Sequence, residues 1–517
     1  MNTGAWLLAA AEFLLLGDVI WGLELDFHPS YRNFNPCPPE GCIASARDTD
    51  KVSARNVNWT GFYCDDEMVV NPTYFYPEEQ WSHFNADAAW VDVIRVYKDF
   101  DRIEGVDFSQ SIQKTLRIAG GNTRCGDISR RSNCEVEIAC EYGMESEDSG
   151  PAAPLIWNSL VYIHTIHEEY HDLLLQIATI ITPMLRELEY QMAPITPEKD
   201  TTWKSCLTDL LTLGTISSSG PFLNSILRTK SYFRQKANEG SSMNETTKDT
   251  TMGLVRHSTA IAMHLLSDDR RGEGMWGPES QDSFYAYMGS AVWGWSNATA
   301  FALSALFNGG DKNIDLLWDT ISGGKLVWGQ VDRDKPQFRI MDVVELAANI
   351  LKSTFAIAIP ELWKVTKSHV FVVDSGFGCD DNKPPNDYLT EEAISIAGVC
   401  HEEKMYYLAQ PKGNSKSGKF SPPKGIKSLD GEAFGSVTKE DLVKGAVRTY
   451  LKNGGVNGGG LPDLTNDETI NDLLNVDITT PGYIRIPVCS AADALQSWRT
   501  KGSDTAENYP CNVPAGK

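Results

Sequence analysis

The longest regular signal in the chain is a stripe of apolar positions advancing in alternating steps of four and three. Ile156, Leu160, Ile163, His167, Tyr170, Leu174, Ile177, Ile181, Met184 and Leu188 fall on it, the spacing of one helix face packed along a seam. Pro183 interrupts the stripe. A proline there removes a backbone donor and crowds the preceding turn, so a kink or a stop is expected, yet the apolar pattern continues beyond it. Further segments at helical spacing, broken by Gly and Pro, cover Leu254 to Leu266, Ala291 to Phe307 and Val343 to Leu362. They predict a helical domain over 151 to 368.

On either side the pattern changes. Residues 23 to 150 are rich in Cys, Pro, Asn and aromatic residues, and the short run Val91 to Tyr97 reads as a strand. Beyond 368, His369 to Val373 and Met405 to Leu408 predict a small sheet. Helices should follow, started by Thr438 with Asp441, Thr465 with Glu468, and Ser490 with Asp493. The predicted fold class is α+β and mainly helical. A loop-rich, disulfide-tied region over 23 to 150 precedes the helical domain, and a disulfide-closed α+β module over 369 to 517 follows it.

Composition narrows the partners. At 517 residues, 42% hydrophobic and 22% charged, the chain belongs with globular proteins of two to three domains. Its net charge of -23 opposes a phosphate backbone, so nucleic acid is excluded as a partner. Lys412, Lys416, Lys419, Lys424 and Lys427 read as a solvated loop before a patch for an acidic polymer. No run reaches eighteen uncharged apolar residues. The Ala291 to Leu303 segment is therefore expected to be a core helix, with membrane insertion as the minor alternative.

Residues 1 to 22 read as a secretory signal peptide: Ala5 to Ala11 and Phe13 to Leu16 form an apolar core, interrupted by Glu12 and ending near Gly22. A short anchor is the competing expectation. On this route Cys37, Cys42, Cys64, Cys125, Cys134, Cys140, Cys379, Cys400, Cys489 and Cys511 form a disulfide framework, and Cys206, alone on an apolar stretch, is left free. Bridges among Cys379, Cys400, Cys489 and Cys511 close the last module. Sequons at Asn58, Asn244 and Asn297 fit the same destination.

The sharpest chemical motif is His167-Glu168-Glu169-Tyr170-His171, an H-E-x-x-H run. On a helix both imidazoles share a face and can hold zinc, while Glu168 activates the bound water. A third ligand is needed. Glu187 or Glu189 serves only if Pro183 turns the chain back, and His164, one turn earlier, completes a three-histidine cluster. Because His167 also occupies the packing seam, a core role is the first expectation and zinc the alternative; otherwise no cofactor is expected. No G-x-S-x-G elbow, P-loop or dinucleotide fingerprint occurs. Gly454 to Gly460 follows a helix and reads as a turn, as do Asp374 to Gly376 and Asp380 to Asn382.

Several phrases in the second half belong together: Leu306-Phe307-Asn308-Gly309, Phe371-Val372-Val373-Asp374-Ser375-Gly376, Ser428-Leu429-Asp430-Gly431, Asn457-Gly458-Gly459, and Thr480-Pro481-Gly482-Tyr483-Ile484-Arg485-Ile486-Pro487-Val488-Cys489-Ser490. Over roughly 150 to 511 the chain resembles a family of secreted filamentous-fungal proteins of uncharacterised function. It is also similar to C-terminal regions of fungal chitinase-like, killer-toxin-related proteins. The resemblance implies a fungal source and an extracellular destination but no reaction, and the D-x-x-D-x-D-x-E run of a chitinase domain is missing. The expectation is an effector-like, toxin-like or wall-associated factor that acts by contact with a cell wall, host or competitor surface. A secreted zinc metallopeptidase is the alternative and a membrane-inserting pore former the third.

Overall fold

The computed structural model describes residues 59 to 512, apart from 121–122, 129–131, 133, 135, 141–148, 198–201, 239–242, 268–281, 328, 330–342, 382–384, 414, 416–417 and 501–502. The signal-peptide segment, Cys37, Cys42, Asn58 and Lys416 lie outside the described residues.

Helices α1 (Glu67–Val70), α2 (Pro77–His83), α3 (Ala86–Val96) and α4 (Phe108–Thr115) begin the described chain. The run Val91 to Tyr97 is thus helical, against the strand expected for it. Its alternation is local, whereas Ala86, Ala89, Trp90, Val93 and Tyr97 form one buried helical face. Asp66 and Asp107 accept from the backbone N–H groups of Met68 and Ser109, both at 2.9 Å, which satisfies first-turn donors of α1 and α4. Disulfides Cys64–Cys140 and Cys125–Cys134 tie this region.

The helical core comprises α5 (Ala152–Met192), α6 (Thr202–Leu227), α7 (Ser231–Asn238), α8 (Met243–Ser267), α9 (Phe284–Leu306), α10 (Asp311–Ile321) and α11 (Val343–Val365). The 41-residue α5 continues unbroken through Pro183. The carbonyl that the proline leaves without its helical donor belongs to Thr179, an exposed residue on the outer face of the helix. Meanwhile Ile177, Ile181, Leu185 and Leu188 stay buried on the other face. Helix α6 is buried on every side from Leu213 to Asn224. It tolerates its hydroxyls there because Ser217 and Ser219 donate to the carbonyls of Leu213 and Thr215, at 2.8 and 2.6 Å. A Cβ on Gly214 would lie 2.0 Å from the Trp295 ring, so the missing side chain lets α6 and α9 approach closely.

In the C-terminal part, β1 (Phe371–Gly378), α12 (Glu391–Ile396), β2 (Gly398–His401), β3 (Lys404–Ala409), α13 (Lys439–Lys452), α14 (Asp467–Leu474), β4 (Val488–Ser490) and α15 (Ala491–Arg499) follow in order. The sheet order is β2-β3-β1-β4, with β4 parallel to β1 and the other pairs antiparallel. Both faces are covered. Val372, Leu408 and Val488 join the large helical core, while Phe371, Val373, Tyr407 and Ala409 pack with Phe420 and Ala494 on the other side. This explains the unbroken apolar runs.

Thr438 and Asp441 form the expected reciprocal cap of α13, both bonds at 3.0 Å. Ser490 caps α15 through the Asp493 N–H at 3.2 Å. The second cap falls one residue later than expected: Asn466 accepts from Thr469 N–H, and the Thr465 hydroxyl turns back to Asp463. Cys379–Cys400 and Cys489–Cys511 close this part as expected, and Cys206 is free and buried. Lys424 departs from the solvated-loop expectation. Its Nζ donates to the Tyr190 and Ala193 carbonyls at 3.1 and 2.6 Å, completing the C-terminus of α5.

Candidate functional site

The H-E-x-x-H run lies in the middle of α5, and its side chains part company. His167 faces the core, 5% exposed, with Nδ1 2.7 Å from the Ile163 carbonyl oxygen. Burial pushes its pKa down to about 4 against the opposing backbone bond, and the nearby His257 and His164 imidazoles add to the depression. His171 sits at the edge beside Asp172, at 3.2 Å. His164 is fully buried and does a different job. Its Nδ1 lies 3.0 Å from the Cys125 carbonyl and its Nε2 3.3 Å from Ser132 Oγ, so this ring fastens the Cys125–Cys134 loop onto α5. Glu168 lies 4.0 Å from the same Nε2.

Because α5 stays continuous through Pro183, neither later glutamate returns to the histidines. Glu187 accepts from Gln191, and Glu189 accepts the Tyr285 backbone N–H at 3.0 Å. Among the described residues no group of three His, Cys, Asp or Glu side chains could hold a metal ion. Likewise, no helix among them is long and apolar enough to cross a membrane. Asn297 lies on the partly exposed stripe of α9 that also carries Trp293, and Asn244 lies in α8.

A second gathering of functional groups surrounds the Thr480 to Ser490 segment. Tyr483 is buried: its hydroxyl lies 3.3 Å from Ser217 Oγ and donates to the Ser353 carbonyl at 3.4 Å. The Thr449 hydroxyl donates to the Ile484 carbonyl at 2.9 Å and accepts from Gly482 N–H at 2.9 Å. Arg485 pairs with buried Asp209 of α6. Glu361 of α11 stands close to both, its carboxyl raised in pKa by burial although Lys364 and Arg485 oppose this. One extended segment therefore bolts α6, α11 and α13 to the sheet.

Arg485 also lines a small surface recess with Thr449, Tyr450, Asn457, Gly458 and Gly459. Asn457 acts there as a substitute strand. Its Oδ1 accepts the Val488 N–H at 2.8 Å and its Nδ2 donates to the Val488 carbonyl at 2.9 Å, which closes the outer edge of β4. The polar groups of this site are thus engaged in holding backbone. Sequence reasoning assigned no role to Asp209, Glu361, Asn457 or Arg485. The signal for the last two was their place in the Asn457 and Thr480 phrases; the two acids sit on apolar helices with nothing local to mark them.

The chain is similar to two fungal proteins named as chitinases. It is 34% identical over 493 residues to the Penicillium expansum protein named Probable chitinase LysM18, covering 89% of this chain and 34% of the relative. It is 30% identical over 509 residues to Secreted chitinase LysM12 of the same organism, covering 90% of this chain and 33% of the relative. The chain spans about a third of the length of the curated relatives it matches. No family model and no solved structure matches it. With four disulfides among its described residues and a relative named as secreted, the protein is an extracellular fungal-type factor.

Proposed function

We propose that the protein acts by contact with a wall surface, as a glycan-directed accessory factor, and that this chain does not itself hydrolyse the polymer. One observation carries the proposal. About nine tenths of the chain aligns with only a third of each of two proteins named as chitinases, while the acidic D-x-x-D-x-D-x-E run that chitinase-like hydrolysis would use is absent from its sequence. Two features support it. His167 faces the core with its ring bonded to the Ile163 carbonyl, and the groups around Arg485 hold backbone in position, as binding by a rigid scaffold requires.

The test is co-sedimentation of the purified chain with insoluble chitin and with intact fungal wall material, alongside an assay for soluble sugar ends. Retention without sugar release is expected. A chain that stays in the supernatant with every wall fraction removes the contact reading, and release of oligosaccharides removes the non-hydrolytic one.

A further inference from the structure

We infer that the segment of residues 62 to 79 presents a docking surface for an amine-bearing amino-sugar polymer, such as partly deacetylated chitin. This deepens the wall-contact reading and rests on it. Tyr63 is 77% exposed, Tyr74 73% and Tyr76 37%, with Val70 at 61% beside them in sequence. Tyrosine rings usually bury their apolar faces, so three of them held in water within fourteen residues require an explanation.

The backbone that carries them is fixed. Cys64 is bridged to Cys140, Asp66 caps α1 and meets His83 at 2.9 Å, and the Phe62 ring packs on His83 and Phe84 with centroids 5.4 and 5.7 Å away. The Gln80 amide donates to the carbonyls of Pro72 and Phe75 at 3.1 and 3.4 Å. Rigid aromatic display reduces the ordering cost of binding.

Charge selects the occupant. Between Trp59 and Ser82 the sequence has five carboxylates, Asp65, Asp66, Glu67, Glu78 and Glu79, and neither Lys nor Arg. Such a surface repels acidic polymers and anionic lipid. A pyranose ring offers an apolar C–H face to a tyrosine, and a protonated sugar amine is attracted both by the ring face and by carboxylates. A glucosamine-containing polymer supplies both features in every repeat.

The experiment is depletion binding of the full chain to chitosan, chitin and cellulose particles at mildly acidic pH. It compares wild type, Tyr63→Ala/Tyr74→Ala, Tyr63→Phe/Tyr74→Phe and a distant Trp293→Ala control, each checked for an unchanged melting temperature. The expected order is chitosan over chitin over cellulose. The double alanine variant should bind chitosan about tenfold more weakly, the phenylalanine variant and Trp293→Ala should match wild type, and added salt should weaken binding. Wall binding that ignores the tyrosine changes, equal binding to chitin and chitosan, or equal tyrosine-dependent binding of a basic peptide overturns this surface while leaving wall contact standing. Failure to bind any wall fraction overturns both.

Discussion

If His167 is a core residue, acid should destabilise the protein through it by a defined amount. The ring is 5% exposed and burial holds its pKa near 4, against 6.5 for a free imidazole. A folded-state pKa below the unfolded value means that the neutral ring favours the fold. Its contribution is complete above pH 6.5, falls as the unfolded chain takes up the proton, and is gone once pH reaches about 4. The gap corresponds to about 3 kcal/mol. Urea unfolding followed by tryptophan fluorescence, repeated at steps from pH 7 to pH 4, measures this for wild type and His167→Gln. Because His257 is depressed by burial as well, the quantity to read is the difference between the two pH profiles. The variant should lose about 3 kcal/mol less over this window. Parallel profiles, or a wild type that zinc stabilises and a variant that it does not, would refute the core assignment.

Other substitutions test the bolted segment and the close helix approach. Arg485→Ala leaves Asp209 buried without its cation and should cost about 2 kcal/mol in urea unfolding, less than the 3–5 kcal/mol of a fully buried pair because the guanidinium is partly exposed. Tyr483→Phe removes the hydroxyl shared with Ser217 and Ser353 and should cost about 1 kcal/mol in the same assay. Asn457→Ala opens the β4 edge, so the Val488 amide should exchange its hydrogen roughly tenfold faster. Gly214→Ala forces the Trp295 ring to move and should lower stability by about 1–3 kcal/mol.

The long helices were legible because their apolar period persists over many turns. The α5 stripe could be followed past Pro183 because the proline stands opposite the buried face, with the exposed Thr179 one turn before it. The two-faced sheet showed in His369 to Val373 and Met405 to Leu408 for the complementary reason, an apolar run too short for a helix. Val91 to Tyr97 misled because seven residues do not separate the two periods, and the decisive small residues Ala86 and Ala89 lie upstream. The cap expected at Thr465 failed by one position, since Asn466 offers an equally good acceptor and Asp463 captures the threonine hydroxyl. At the histidines, the motif showed which side chains share a helix but not which face the core would take. That depends on α8, α9 and the Cys125–Cys134 loop. The Arg485 junction joins residues more than 270 positions apart, a pairing that local pattern does not carry.

The central claim is that this chain touches wall glycan without cutting it, and a single binding isotherm on purified fungal wall, with soluble sugar ends measured in the same tubes, tests it most directly. Saturable depletion of the protein with no rise in sugar ends is the predicted result. Oligosaccharide release in step with protein concentration, or an isotherm flat at zero, would contradict it.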